Sequence, residues 1–336
     1  MARRSSSVRS EEDPRRSAPA APGRTRSAPR RRRTTGLPLG LGAAVVGAVV
    51  AGTLVTVDSL NGGSSTLAAL ALPADDTTET VAPPTAPDAP EVDLASAATA
   101  GEEAGAREDN RVAVSVADTA TGELAPGSNG EDTFNTASLA KLFLVVDMLE
   151  RQRTGEIQLG ARDLRLVHAA LSSSSDPAMN ALWTEYDGPA AIGRVARSVG
   201  LEDTTSPEDP SQWGEVQTSA RDMVKLLRHV QVELPAPDRD LVLRSMSDAP
   251  RIAGDGFDQG YGFLDGRSPV KQGWLCCLGS RGDMHSVAVV DGRFVVAVMT
   301  NEPMVESPRG YDAARESVNA AAGAVRQALG PTVDAR

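Results

Sequence analysis

The chain has 336 residues, a net charge of −11, an ordinary 40% of hydrophobic residues and only 3% aromatics. That length allows one large domain with tails. Eleven arginines against three acids (Glu11, Glu12, Asp13) make residues 1–35 basic, so the remainder is more acidic than the whole; a basic face for nucleic acid is excluded from it.

In chain order, the basic cytoplasmic tail 1–35 ends in Arg30 to Arg33 and is followed by Gly36 to Val57, a run without charge closed by Asp58. The run matches the ~20 residues of a membrane-spanning helix, and the preceding arginines orient its N-terminus to the cytoplasm. The competing reading is a cleaved signal peptide that would leave a secreted protein. No small-x-small site follows closely (Ala69-Leu70-Ala71 lies well downstream) and no lipidated-cysteine box is present, so an uncleaved anchor at 36–57 is preferred. In either reading the rest is extracytoplasmic. Residues 58–109 are rich in Ala, Pro, Thr, Asp and Glu without apolar periodicity, which predicts a disordered linker.

Residues 110–336 form the predicted folded domain. "RVAVSVADTATGEL" alternates Val112, Val114 and Val116 and predicts a strand at a sheet edge. "NTASLAKLFLVVDMLERQ", Asn135 to Gln152, predicts a helix apolar on nearly every side. Further helices are predicted from Asp163 (Leu164, Val167, Leu171), from Pro177 (Met179, Leu182, Trp183), and from Pro189 to a stop at Gly200. Another follows a capping box of Ser219 and Asp222, and one covers Leu241 to Met246. Strands return in "SPVKQGWLCC", "DMHSVAVVD" and "RFVVAVMTN", the last two a hairpin about Gly292, before a helix over Tyr311 to Leu329. The order predicts an α+β fold: an antiparallel sheet built from both termini, with a helical lobe inserted between its halves.

Ser138 and Lys141 stand three apart, which puts them on one face of a helix. A serine hydroxyl needs a base to become a nucleophile, and a lysine desolvated by Leu142, Phe143 and their neighbours can serve as one. Backbone N–H groups at the helix start can hold an oxyanion. Taken alone, the pair is common by chance and is read first as an N-cap serine and a surface lysine. Two further elements decide: "SSSSDPAMNALW", Ser172 to Trp183, and "VKQGW", Val270 to Trp274.

Ser-x-x-Lys, then Ser-x-(Asn/Asp) before a helix, then Lys-x-Gly on a strand resembles the penicillin-recognising serine hydrolases, among them class A β-lactamases and D-alanyl-D-alanine peptidases. "VAVSVADTATGE" and "FNTASLAKLFLV" resemble the family's first hairpin and nucleophile helix. The resemblance spans about Asn110 to Gly330 and implies a β-lactamase/transpeptidase-like fold without cofactor or metal. It implies Ser138 as the acylated nucleophile, Lys141 as proton acceptor and Ser174 as proton relay. Asp176, Lys271, Gln272, Gly273 and Trp274 would bind substrate. The N–H groups of Ser138 and Trp274 would form an oxyanion hole, and Gly273 would let the substrate approach.

The sequence departs from the family pattern in three places. The serine run allows the register Ser174-Ser175-Asp176 or Ser175-Asp176-Pro177; the first keeps a polar third residue but sets an acid where the family has an amide. An ionised Asp176 cannot donate, and it can hold Lys141 charged. Gln272 replaces a hydroxyl residue. The loop before the Ser219 helix lacks the family's Trp-Glu-Pro-x-Leu-Asn pattern; it offers Glu208 and Glu215, of which Glu215 is the weak candidate for a deacylating base against its plainer reading as a solvated loop residue. The implied function is a membrane-tethered hydrolase acylated by β-lactams or D-Ala-D-Ala-like peptides of the cell wall. The alternatives are a D-Ala-D-Ala carboxypeptidase or penicillin-binding protein, and a catalytically impaired wall-binding or sensor domain.

Three other features point to no chemistry. Neighbouring Cys276 and Cys277 on a strand should face apart, which favours two thiols or an intermolecular contact over a bridge. His285 and Ser286 alternate to opposite faces and form no triad; His168, His229 and His285 lack metal-ligand spacing. Arg281-Gly282-Asp283 reads as a turn.

Overall fold

The computed structural model describes residues 91–304 and 309–330. The tail 1–35, the apolar run 36–57 and linker residues 58–90 lie outside the described residues. Among the described residues, no helix is long and apolar enough to cross a membrane.

The stretch expected as linker turns out to be structured at its end. Helix α1 (Leu94–Gly105) starts at Asp93, whose carboxylate accepts from the Ser96 N–H at 2.9 Å. It is made largely of Ala and Gly, so it lacks the large apolar side chains by which a helix is recognised in a sequence. Small residues are what its packing needs: a Cβ at Gly101 would come within 2.7 Å of Val325. Buried Glu102 fixes the helix further by accepting from the Val114 and Asn129 N–H groups, each at 3.1 Å.

Five antiparallel strands form the main sheet in the order β2-β1-β7-β6-β5: β1 (Arg111–Asp118), β2 (Leu124–Pro126), β5 (Val270–Leu278), β6 (Arg281–Val290) and β7 (Phe294–Pro303). The strands thus come from both ends of the domain, as the sequence order implies. β1 is interior, paired with β2 and β7, and the edge expected there is a correction. Its valines face α1 and the last helix, α8 (Arg309–Leu329), while Ala113 and Ala117 face the helical lobe. Alanines on the second face mask its burial in the sequence pattern.

Between the two halves of the sheet lie α2 (Ala140–Arg153), α3 (Ala161–Leu171), α4 (Asp176–Glu185), α5 (Gly188–Val199), α6 (Ala220–Val232) and α7 (Ala236–Ser247). A two-stranded ribbon, β3 (Thr133–Asn135) with β4 (Gln217–Ser219), closes the lobe. Every residue of α2 from Ala140 to Leu149 is buried, which accounts for its all-round apolar sequence. Ser219 caps α6 by accepting from the Asp222 N–H at 3.1 Å, but no reciprocal capping box forms. The Asp222 carboxylate accepts instead from Glu202 N, Asp203 N and Thr204 Oγ1, which anchors the loop after α5.

Two further expectations are corrected at the β5–β6 end. Cys276 and Cys277 form a disulfide: the β5–β6 register slips between Cys276 and Leu278, so the regular alternation that would separate the side chains is broken. Arg281-Gly282-Asp283 opens β6 and is not a turn. The Arg281 guanidinium donates to the Asp109 and Asn301 carbonyls at 2.8 Å, and the Asp283 carboxylate accepts from Asn135 and Asn301 at 2.9 Å. His285 and Ser286 do face opposite sides: His285 Nε2 donates to the Asn135 carbonyl at 2.7 Å, and Ser286 Oγ accepts from the Phe263 N–H at 3.0 Å.

Candidate active site

The chain leaves β3, makes a 3-10 turn over Ala137–Leu139 and runs directly into α2. Ala137 enters this turn with a left-handed φ of 48°, a conformation that a non-glycine residue holds only when its surroundings impose it. Ser138, on the turn, and Lys141, in the first turn of α2, meet: Lys141 Nζ donates to Ser138 Oγ at 2.6 Å. The lysine is fully buried, and its Nζ lies 4.3 Å from the centre of the Trp213 ring. Burial pulls Lys141 below the ordinary lysine range, and the Asp176 carboxylate, 2.9 Å away, opposes that shift.

The α3–α4 junction brings in the second serine. Ser175 spends its hydroxyl on the Ala178 N–H at the start of α4. Ser174, with a φ of 57°, turns the other way and accepts from Lys271 Nζ at 2.8 Å. In this geometry the two residues that flank Ser175 reach the two lysines: Ser174 meets Lys271 and Asp176 meets Lys141. Lys271 also donates to the Gln272 carbonyl at 2.7 Å, and burial together with the nearby Lys141 charge holds it well below the usual lysine range.

The residues of β5 do not act as one set. Strand alternation sends Gln272 to the face opposite Lys271. Its amide donates to the Gln259 carbonyl at 3.1 Å and to the Tyr261 carbonyl, and the residue is 1% exposed. This corrects the expectation that Gln272 reaches a substrate. Gly273 does allow a close approach, but by the protein itself: a Cβ there would lie 3.0 Å from the Thr136 carbonyl and 3.2 Å from Leu139, so the glycine seats β5 against the nucleophile turn. Trp274 stacks on Phe257 (4.7 Å between centroids, 13° between planes) and donates from Nε1 to Asp255 at 3.2 Å.

These elements enclose a cleft of about 350 Å³ whose lining includes Ser138, Asp176, Asn180, Trp213, Glu215, Asp255 and Trp274. Glu215 is therefore brought to the cleft, on a 3-10 turn over Trp213–Glu215. Lys271, Gln272 and Gly273 are not on its wall. Among the wall residues missed in the sequence, Trp213 and Asp255 matter most to the chemistry of the cleft. Trp213 donates from Nε1 to Asn180 Oδ1 at 2.8 Å; a tryptophan in an otherwise polar loop is the signal that could have found it. Asp255 sits in a Gly- and Asp-rich turn with no such signal. Chemically, the arrangement offers a hydroxyl hydrogen-bonded to a desolvated amine at the floor of a cleft, with a second hydroxyl–amine pair behind it.

Residues 96–163 and 162–329 match the beta-lactamase enzyme family. LppW of Mycobacterium tuberculosis, a protein provisionally named as a lipoprotein, is 31% identical over 201 residues, 57% of this chain; the chain spans 63% of the length of that relative. Among solved structures, the chain is similar to a class A beta-lactamase from Mycobacterium abscessus (21% identity, TM-score 0.52, 71% of this chain and 99% of that one). It is also similar to a beta-lactamase from Chitinophaga pinensis (14% identity, TM-score 0.56, 70% of this chain and all of that one). At these identities the structural likeness speaks for the fold.

Proposed function

This chain belongs to the beta-lactamase enzyme family, and we propose that within it the protein is a serine acyl-transfer hydrolase that forms its acyl intermediate on Ser138. The observation that carries this reading is the 2.6 Å hydrogen bond from a fully buried Lys141 to Ser138 Oγ. In the free-base form Lys141 takes the hydroxyl proton as Ser138 attacks a carbonyl. Ser174, held by Lys271, is the relay that returns a proton to the leaving nitrogen. The acyl donors are β-lactams or D-Ala-D-Ala-like peptides. Glu215, half-buried on the cleft wall, is the residue available to activate water for deacylation. The lipoprotein name of LppW and the uncharged run 36–57 support a membrane-tethered, extracytoplasmic domain.

One observation favours a second reading, a domain that binds cell-wall peptides with little turnover. Asp176 pairs with Lys141, and a lysine held as ammonium cannot accept the serine proton. Two probes separate the readings on the full-length protein: a fluorophosphonate for the nucleophile, and a fluorescent penicillin with a chromogenic cephalosporin for the acyl donor. Labelling by both, lost in Ser138→Ala, is expected, with slow cephalosporin turnover. A protein that neither probe labels would leave the binding domain as the reading.

A further inference from the structure

The walls of the cleft carry a charge pattern that suits one class of acyl donor. Three carboxylates line it, Asp176, Glu215 and Asp255, of which Asp176 is paired with Lys141; among the described residues no arginine, lysine or histidine lines it. Both nearby lysines are committed beneath the floor, Lys141 to Ser138 and Asp176, Lys271 to Ser174 and the Gln272 carbonyl. Gln272, the neighbour of Lys271 on β5, is turned to the other face of the sheet and cannot meet a substrate carboxylate. Asp255 is exposed yet fixed, one oxygen accepting from Trp274 Nε1 at 3.2 Å and the other from the Phe257 N–H at 2.9 Å. The wall also presents two indole rings: Trp213, whose centre lies 4.3 Å from Lys141 Nζ, and Trp274, which stacks on Phe257 and has Lys271 Nζ 6.0 Å from its centre. Carboxylates on a cleft wall with no cation on that wall favour an organic cation and repel an anion.

We propose that, among its acyl donors, this cleft prefers those that carry an ammonium group, and that donors whose only charge is a carboxylate, simple penicillins included, still acylate Ser138 but more slowly. This rests on the reading of Ser138 as the acylated nucleophile. In the step itself a bond forms from Ser138 Oγ to the donor's carbonyl carbon and Lys141 Nζ takes the hydroxyl proton. The bond to the leaving group then breaks, and its electron pair departs with that group. None of this depends on the donor's charge, so charge selectivity is read separately from chemistry.

The test uses three nitrophenyl esters of similar length with the full-length protein: an ε-aminocaproyl ester, its N-acetylated neutral counterpart and an adipoyl half-ester. Nitrophenolate release and the mass of the Ser138 adduct are followed. The expected order of acylation rate is cationic, neutral, anionic, with about tenfold or more between the extremes. The ratio should shrink in about 1 M salt, where charges are screened over ~3 Å. It should also shrink in Asp255→Asn combined with Glu215→Gln, each ratio being taken within one variant so that a general loss of activity cancels. Ser138-dependent release that is as fast from the neutral or the anionic ester, or a ratio that neither salt nor the double variant lowers, overturns the proposal while leaving the nucleophile in place. Release that persists unchanged in Ser138→Ala overturns the underlying reading, and the proposal with it.

Discussion

The two ends of α2 bury charge in opposite ways. At its N-terminal end a fully buried Lys141 has one carboxylate partner, Asp176, whose side chain is 48% exposed. At its C-terminal half Asp147, 2% exposed, accepts from Arg194 at 2.6 and 2.8 Å and from Arg151 at 3.4 Å. Glu150, next along, accepts from His229 and Ser198. The C-terminal charges are saturated and tie α2 to α5 and α6. The lysine is underpaired and desolvated, a state that costs stability and lowers its pKa, so that the free amine which can take a proton is more accessible than in an exposed lysine. One helix therefore carries an anchoring end and a reactive end.

The sharpest break of this comparison is Lys141→Met. Fluorophosphonate labelling of Ser138 is expected to fall ~10²- to 10⁴-fold, the span of a lost general base. Thermal denaturation should show no loss of stability, because a desolvated ammonium is replaced by an apolar chain and Asp176 is open to water. A variant that unfolds would mean that Lys141 anchors α2 as the other end does. Arg194→Ala is the mirror experiment. It leaves Asp147 with Arg151 alone, so urea denaturation should report a loss of about 2–3 kcal/mol, somewhat less than for a fully orphaned buried charge. The labelling rate per folded molecule should be unchanged.

Smaller in size but specific in direction is Asp176→Asn. Burial lowers the Lys141 pKa and Asp176 raises it, so removing that carboxylate leaves burial opposed only by the more distant Asp255 charge. The rising limb of the acylation rate against pH is expected to move to lower pH. A limb that stays in place or moves upward would show that Asp176 does not govern the protonation of Lys141.

What the sequence made legible follows the same division. The helix around Ser138 and Lys141 could be read because an unbroken apolar run surrounds two polar residues at helical spacing. The sheet from both termini could be read because its strands are rich in β-branched residues at the two ends of the domain. Helix α1 was hidden because its packing relies on Ala and Gly, whose contribution comes from how close α8 can approach. Gln272 was misplaced because residue type says nothing of which face of β5 a side chain takes; the carbonyls of Gln259 and Tyr261 decide that, and they come from a loop with no periodic signal. Asp255 was missed for the same reason. The wall of the cleft is set by loops whose positions come from tertiary contacts, whereas its floor is set by one helix and two local motifs.

The smallest expected effect is also the one that sets the two ends of α2 against each other directly. His229 points Nε2 at Glu150 (2.9 Å) and Nδ1 at Glu233 (3.0 Å). With a carboxylate at each nitrogen the imidazolium form is favoured, and the Glu150 hydrogen bond raises the His229 pKa above its ordinary value. A raised folded pKa stabilises fully below the unfolded value of ~6.5 and loses that contribution as pH rises through the folded value. Lys141 has the opposite sign. Its folded pKa is lowered, so between that value and the ordinary ~10.4 the unfolded chain binds more protons and stability rises with pH. Denaturation of the wild type against His229→Gln across this range should show a stability difference that is largest at the acid end and shrinks above it, below about 1 kcal/mol in all, since Glu233 is 52% exposed. Wild type against Lys141→Met should show the reverse slope. If both differences run the same way with pH, the two ends of α2 do not differ in how they bury charge.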